Sequence, residues 1–146
     1  METGLPLTIE RAETAEQIAA CFPAMHELRP HLAVETFVEQ VERQRSGAGY
    51  FLLAARIGAT VVSVAGCRPC DNLSRGFHLY VDDFVTLSAF RGRGFGGRLW
   101  EQIINAAREM GAGSIHLDSG LHRKEAHSFY EHRGMTFVAH HYSIKP

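Results

Sequence analysis

Lysine is nearly missing from this 146-residue sequence: Lys124 and Lys145 stand against thirteen arginines, and the net charge is −1. No basic surplus exists, which argues against a nucleic-acid partner. Long apolar runs are missing too. No stretch reaches the ~18–20 residues that a membrane-spanning helix needs. The N-terminal stretch METGLPLTIERAE lacks the basic, apolar and small-residue regions of a signal sequence, so a cytoplasmic protein is expected. Cysteines number three, an odd count that does not fit a disulfide framework. Repeats, low-complexity segments and linkers are absent. What remains is the composition of an ordinary soluble globule, 45% hydrophobic. One domain over residues 1–146 is the simple reading, and such a chain buries roughly two-thirds of its unfolded surface.

The pattern of apolar residues then sets an order of elements. Leu7–Arg11 reads as a first strand. Thr14 and Gln17 form a capping box that opens a helix, which Pro23 bends or stops. Val34, Phe37, Val38 and Val41 recur at helical spacing up to Arg45, with Gly47 and Gly49 as the stop. Tyr50–Arg56, a turn at Ile57–Ala59 and Thr60–Cys67 read as a hairpin. Asp71–Gly76 is a polar loop, and Phe77–Thr86 is a longer strand. A glycine loop follows, then a helix with Leu99, Ile103, Ala106 and Met110 on one face, closed by Gly111 and Gly113. Ser114–Asp118 reads as a strand, Lys124–Arg133 as a helix stopped by Gly134, and Met135–Ser143 as a last strand. The order β-α-α-β-β-β-α-β-α-β predicts an α/β (α+β) fold. Its sheet is mixed and mostly antiparallel, with helices on both faces.

The loop Arg91–Gly97, RGRGFGG, lies between a strand and a helix. Glycines let the backbone approach a ligand and aim successive N–H groups at it. The helix N-terminus adds about half a positive charge. Such a loop holds anionic oxygens, most often phosphates, and Arg91, Arg93 and Arg98 add fixed charge. The run Gly92 to Gly97 also fits the dinucleotide fingerprint G-x-G-x-x-G, and Asp118 lies 21 residues past Gly97, near where a ribose-binding acid would sit. Context argues against that reading. The loop follows an antiparallel hairpin and a further strand, and the 49 residues after Gly97 are too few to complete a dinucleotide fold.

Two motifs in order carry a resemblance. The first is Arg91-Gly92-Arg93-Gly94-Phe95-Gly96, which matches [QR]-x-x-G-x-[GA]. The second runs from His116-Leu117-Asp118-Ser119 through Arg123–Tyr130 to Gly134-Met135, with Ala126 four residues before Tyr130. With 39 residues between Arg91 and Tyr130, the chain resembles the GNAT superfamily of acetyl-CoA-dependent N-acetyltransferases. The R-x-x-A-H-x-F-Y helix looks like that of the aminoalkylphosphonate N-acetyltransferases, a likeness that assigns no substrate. The resemblance implies that the backbone of Phe84, Val85 and Thr86 pairs with the pantetheine arm of acetyl-CoA, like an added strand. It implies that the amides of Gly92, Arg93, Gly94, Phe95, Gly96 and Gly97 hold the pyrophosphate, and that Tyr130 sits near the thioester sulfur. Many members carry Asn seven residues before that tyrosine. Arg123 stands there in this chain and is a candidate phosphate or substrate contact.

The implied chemistry moves the acetyl group of acetyl-CoA to a primary amine by direct attack. Orientation alone supplies ~7–11 kcal/mol of such a barrier, and an N–H in the Phe84–Thr86 strand is a candidate oxyanion donor. Tyr130 is the candidate general acid; a core tyrosine on an amphipathic helix is the plainer alternative. Asp82 and Asp83 are candidate bases. As neighbours in a strand they face opposite sides, so one faces the cleft and the other a helix. His78 and His116 are weaker candidates. Glu27 and Arg29, between the first two helices, are candidate substrate contacts. The acceptor is expected to be a small molecule. A protein lysine or N-terminus, or a non-catalytic acyl-CoA-binding role, are the alternatives. Cys67-Arg68-Pro69-Cys70 is a CxxC that ends a strand and lacks the second pair a zinc site needs. His122, His127 and His132 are spaced by five, off a common helix face, and no metal is expected. The apolar stretch Met135–Ile144 is a candidate homodimer contact.

Overall fold

Strand β2 (Phe51–Ile57) is buried along nearly its whole length, which explains its continuous apolar run. A computed structural model describes residues 4–146, so the first three residues of the stretch read above for a signal sequence lie outside the described residues. The elements are β1 (Leu7–Ala12), α1 (Ala15–Ala20), α2 (Phe22–Leu28), α3 (Val34–Ala48), β2, β3 (Thr60–Asn72), β4 (Gly76–Thr86), a 3-10 turn at Ser88–Phe90, α4 (Phe95–Met110), β5 (Ile115–Leu117) and α5 (Lys124–His132). The chain divides into two compact units, one ending at His116 and one beginning at Leu117. No helix among the described residues is long and apolar enough to cross a membrane.

The sheet order is β1-β2-β3-β4-β5. The first four strands pair antiparallel. At the β5 side, Gly113 N–H donates to Phe77 O and Leu79 N–H to Ser114 O, so the two segments advance together, as parallel neighbours do. Leu52, Ala54 and Val64 face a core shared with Ile18, Met25, Phe37 and Val41 of α1 to α3. Ala55, Ile57 and Val62 face the other side, toward Phe90 and Phe95. Helices therefore cover both faces, as the element order predicts.

Local chemistry explains most boundaries. Thr14 makes the expected box: its side chain accepts from Gln17 N–H while Gln17 reaches back to the Thr14 N–H. The helix breaks at Cys21, and Pro23 sits in the first turn of α2, where its missing N–H costs nothing. The single helix expected there is thus two. In α4 the buried residues are Leu99, Trp100, Ile103 and Ala107, so the inward face is turned slightly from the predicted Leu99, Ile103, Ala106, Met110 stripe.

Two expectations fail. The CxxC does not end a strand: β3 continues through it to Asn72, and Cys67 and Cys70 are free thiols. Burial pushes the Cys67 thiol up to about 12, with the negative charges of Asp82 and Asp83 adding to the shift, so it stays protonated and inert. The last strand is also absent. Residues 135–143 have strand-like composition but no ladder, and Phe137, Val138 and Tyr142 are exposed. A strand exists only through a hydrogen-bonded neighbour, which composition does not report.

Candidate active site

Strand β4 carries the site because its ladder with β3 is interrupted. Gly66 pairs with Asp83, but the next residue, Cys67, pairs with Val81. Asp82 is the extra residue of a β-bulge, a device that re-aims side chains. The carboxylates of Asp82 and Asp83 have separate partners. Asp83 Oδ1 accepts from Arg29 Nε at 3.0 Å, and Asp83 Oδ2 accepts from the Tyr50 hydroxyl at 2.8 Å. Arg29 Nη2 also donates to the Asp82 carbonyl at 2.9 Å. The Asp82 carboxylate instead accepts from Arg68 Nε at 2.8 Å. Burial raises the Asp82 pKa, and the charge and hydrogen bond of Arg68 only partly counter it.

Gly66 makes this cluster feasible. A Cβ there would lie 1.9 Å from the Tyr50 hydroxyl oxygen and 2.6 Å from Asp83 Oδ2. Only glycine lets the tyrosine reach the carboxylate across β3. Burial, and then the Asp83 charge, raise the Tyr50 pKa, so the phenol remains a donor. Tyr50 and Gly66 were not singled out in the sequence. The signal available was a tyrosine at the start of an otherwise apolar run, since a buried Tyr O–H needs a partner.

A cleft of about 130 Å³ opens above Asp83. Arg29, Tyr50 and Asp83 line it, and His31, Gln40 and Gln44 add further polar groups. Arg29 thus lines this cleft. Glu27 does not. Its Oε1 accepts from Ser88 N–H at 3.0 Å and from Ser88 Oγ at 2.7 Å. The hydrogen bond from the Ser88 hydroxyl is the largest influence holding its carboxyl below the usual range. Glu27, expected as a substrate contact, does not line this cleft, and its Oε1 is engaged by the 3-10 turn that leads into the glycine loop.

That loop begins three residues after the turn's start. Arg91 Nε donates to Thr86 O at 3.1 Å, tying the loop to the end of β4. Gly92 and Gly94 have φ of 78° and 81°, a region that other residues enter only with strain. A Cβ at either would meet nothing within 4 Å, so the space beside both glycines is open. Gly94 is the N-cap of α4 and supplies no side-chain cap. The first-turn N–H groups of α4, from Phe95 onward, then have no intrahelical acceptor and suit an anion. Phe84, Val85 and Thr86 pair with Ala65, Val64 and Ser63. The Phe84 and Trp100 rings meet edge-on at 5.7 Å, which packs α4 onto this end of β4.

The weaker bases lie elsewhere. His78 is buried and its Nδ1 lies 2.9 Å from Gly76 O. Burial lowers the His116 pKa, with the Arg75 charge adding to it, and its ring meets that of His78 at 5.0 Å. In the second unit, Tyr130 is buried on α5, and burial raises its pKa while the charge of Arg123 works the other way. Arg123 is the N-cap of α5. Asp118, weighed above as a ribose ligand, is paired with His141 at 2.6 Å. Among the described residues no group of three or more His, Cys, Asp or Glu is arranged to hold a metal.

Comparison with known proteins gives a consistent picture. Residues 12–135 match the model of the Acetyltransferase (GNAT) family. The uncharacterized N-acetyltransferase YhdJ of Bacillus subtilis (strain 168) is 33% identical over 122 residues, covering 84% of this chain and 86% of that protein. Aminoglycoside N-acetyltransferase AAC(6')-Iy, solved in complex with CoA, superposes with a TM-score of 0.83 at 12% identity, over 100% of this chain and 98% of its own. Ribosomal-protein-alanine N-acetyltransferase from Brucella melitensis biovar Abortus 2308 gives 0.80 at 16% identity, over 96% and 99%. At such identities the two structures report the shared fold alone.

Proposed function

The chain belongs to the acetyltransferase (GNAT) family, and on that premise we propose that it moves the acetyl group of acetyl-CoA to the primary amine of a small molecule. One observation carries the reading. A single strand, β4, carries the bulge and Asp83 at the cleft, and ends at the turn that feeds the phosphate-suited loop. An acceptor and a nucleotide-bearing donor that both bind along β4 are brought together, and proximity is the largest contribution such a reaction needs.

In this reading the amides of Gly92–Gly97 hold the pyrophosphate, and the Phe84–Thr86 backbone guides the pantetheine arm. The acceptor ammonium loses a proton to a carboxylate of β4, directly or through water. Asp82 suits this step because its raised pKa makes it a stronger base than an ordinary carboxylate. Asp83, with both oxygens already accepting, suits holding the ammonium. The amine nitrogen then bonds to the thioester carbon, and the carbonyl oxygen gains charge beside a backbone N–H of β4. The C–S bond breaks, and the departing thiolate takes a proton. Tyr130 suits that last role, since burial keeps its phenol protonated at neutral pH. The small volume of the cleft favours a small molecule over a polypeptide acceptor.

Release of free thiol from acetyl-CoA in the presence of a panel of amines tests the reading. Amine-dependent thiol release with formation of an N-acetyl product is expected. Thermal stabilisation by acetyl-CoA with no thiol release from any amine would overturn it in favour of a binding module.

A further inference from the structure

The cleft above Asp83 has a charge pattern that bears on the acceptor. It presents one carboxylate and one guanidinium, side by side. Arg29 Nε and Asp83 Oδ1 are 3.0 Å apart, and the arginine is the more open of the two, its side chain 40% exposed against 15% for the aspartate. Nε and Nη2 of Arg29 are used on Asp83 and on the Asp82 carbonyl. Its third nitrogen, Nη1, makes no hydrogen bond among the described residues. The other polar lining groups, Gln40, Gln44 and His31, add no second carboxylate.

Consider an ammonium that approaches Asp83. The oxygens it needs are those that already accept from Arg29 and Tyr50. Drawing the carboxylate toward the ligand weakens its hold on Arg29, and a half-buried guanidinium without its anion is costly. A ligand with a second positive charge makes that imbalance worse. A ligand that carries its own anion removes it: the anion takes the Nη1 side of the guanidinium while the ammonium takes Asp83. Arginine's planar fork suits a carboxylate in this way.

We propose that the acceptor is a small zwitterionic amine, with a carboxylate a few atoms from the nitrogen as in an amino acid, its ammonium held by Asp83 and its anion by Arg29. This rests on the reading of the chain as an acetyltransferase whose acceptor enters this cleft. A polyamine or a lysine side chain within a polypeptide is disfavoured by the same balance, since each brings positive charge without an anion. Arg29 is then the specificity-determining residue of the cleft.

The test uses pairs in which an amide replaces the anion: glycine and glycinamide, β-alanine and β-alaninamide, 4-aminobutyrate and its amide, the longest pair differing least in amine basicity. Butylamine, spermidine and an amidated lysine peptide stand as unpaired controls. Thiol release and the mass of the acetylated product are read on the full-length protein. For the best pair, kcat/KM for the acid is expected to exceed that for the amide by about tenfold or more. Arg29→Gln is expected to bring the acid-to-amide ratio of kcat/KM down to about one, with the KM of the acid raised more than that of the amide whatever loss the two share. Because Arg29 also braces β4, Arg29→Lys is the second variant, expected to restore part of the preference. Binding of acetyl-CoA, measured by calorimetry, shows that each variant is folded. An amide equal to or better than its acid, a preference that survives Arg29→Gln, or turnover of the unpaired controls alone overturns the proposal and leaves the acetyltransferase reading standing. Thiol release from no amine, with acetyl-CoA bound, overturns both.

Discussion

At the scale of single residues, the site is a set of carboxylates whose roles are divided by their partners. Asp82 is pushed above the ordinary carboxylate range by burial, so the acid limb of the pH–rate profile is expected above that range. Protonation as pH falls through the Asp82 pKa removes the base and the rate with it. Asp82→Asn is expected to abolish that limb; a limb that persists moves the role to Asp83. Tyr130→Phe is expected to lower kcat strongly while the acetyl-CoA affinity from calorimetry stays near the parent value. An unchanged kcat would return Tyr130 to a packing role. Gly66→Ala tests the architecture under Asp83. The added methyl lies within 3 Å of both Tyr50 and Asp83, so one of them moves. Overpacking of this kind costs about 1–3 kcal/mol, read as a shift in the urea midpoint, with acceptor KM raised as well.

At the scale of elements, α2 links the two ends of the site. It is short, Phe22–Leu28, yet Glu27 holds the 3-10 turn before the glycine loop while Arg29, its C-cap, holds the bulge of β4. Glu27→Ala frees Ser88 and is expected to weaken acetyl-CoA binding in calorimetry with the acceptor preference intact. The loop itself depends on left-handed backbone at Gly92 and Gly94. Gly94→Ala meets no steric neighbour, so its cost is conformational alone, about 1–2 kcal/mol. A matching loss of acetyl-CoA affinity separates a role in binding from one in stability.

At the scale of the whole molecule, ligand binding and folding are linked. Acetyl-CoA at about a hundred times its Kd is expected to add about 2.7 kcal/mol to stability, visible as a raised Tm in a thermal melt. The hairpin of β2 and β3 was legible because turns and apolar runs are local signals. The glycine loop was legible for the same reason: its chemistry is contained in seven consecutive residues, Arg91–Gly97. By contrast, the cluster at Asp83 joins residues 54 and 33 positions apart along the chain. Neither Tyr50 nor Gly66 carries a motif that announces its partner. The strand expected over Met135–Ser143 failed on the same account, since β-like residues specify a tendency and a paired neighbour specifies a strand.

The sequence by itself therefore determined the family and, apart from the break at Cys21, the element order as far as α5, both of which rest on periodicity, turn chemistry and short motifs. Only the tertiary structure decided that Glu27 braces the loop, that Asp82 lies in a bulge, and that Arg29 and Tyr50 share Asp83. Those pairings are set by how helices pack on a twisted sheet, and a bulge of one residue is a feature of the paired strands that no local pattern announces.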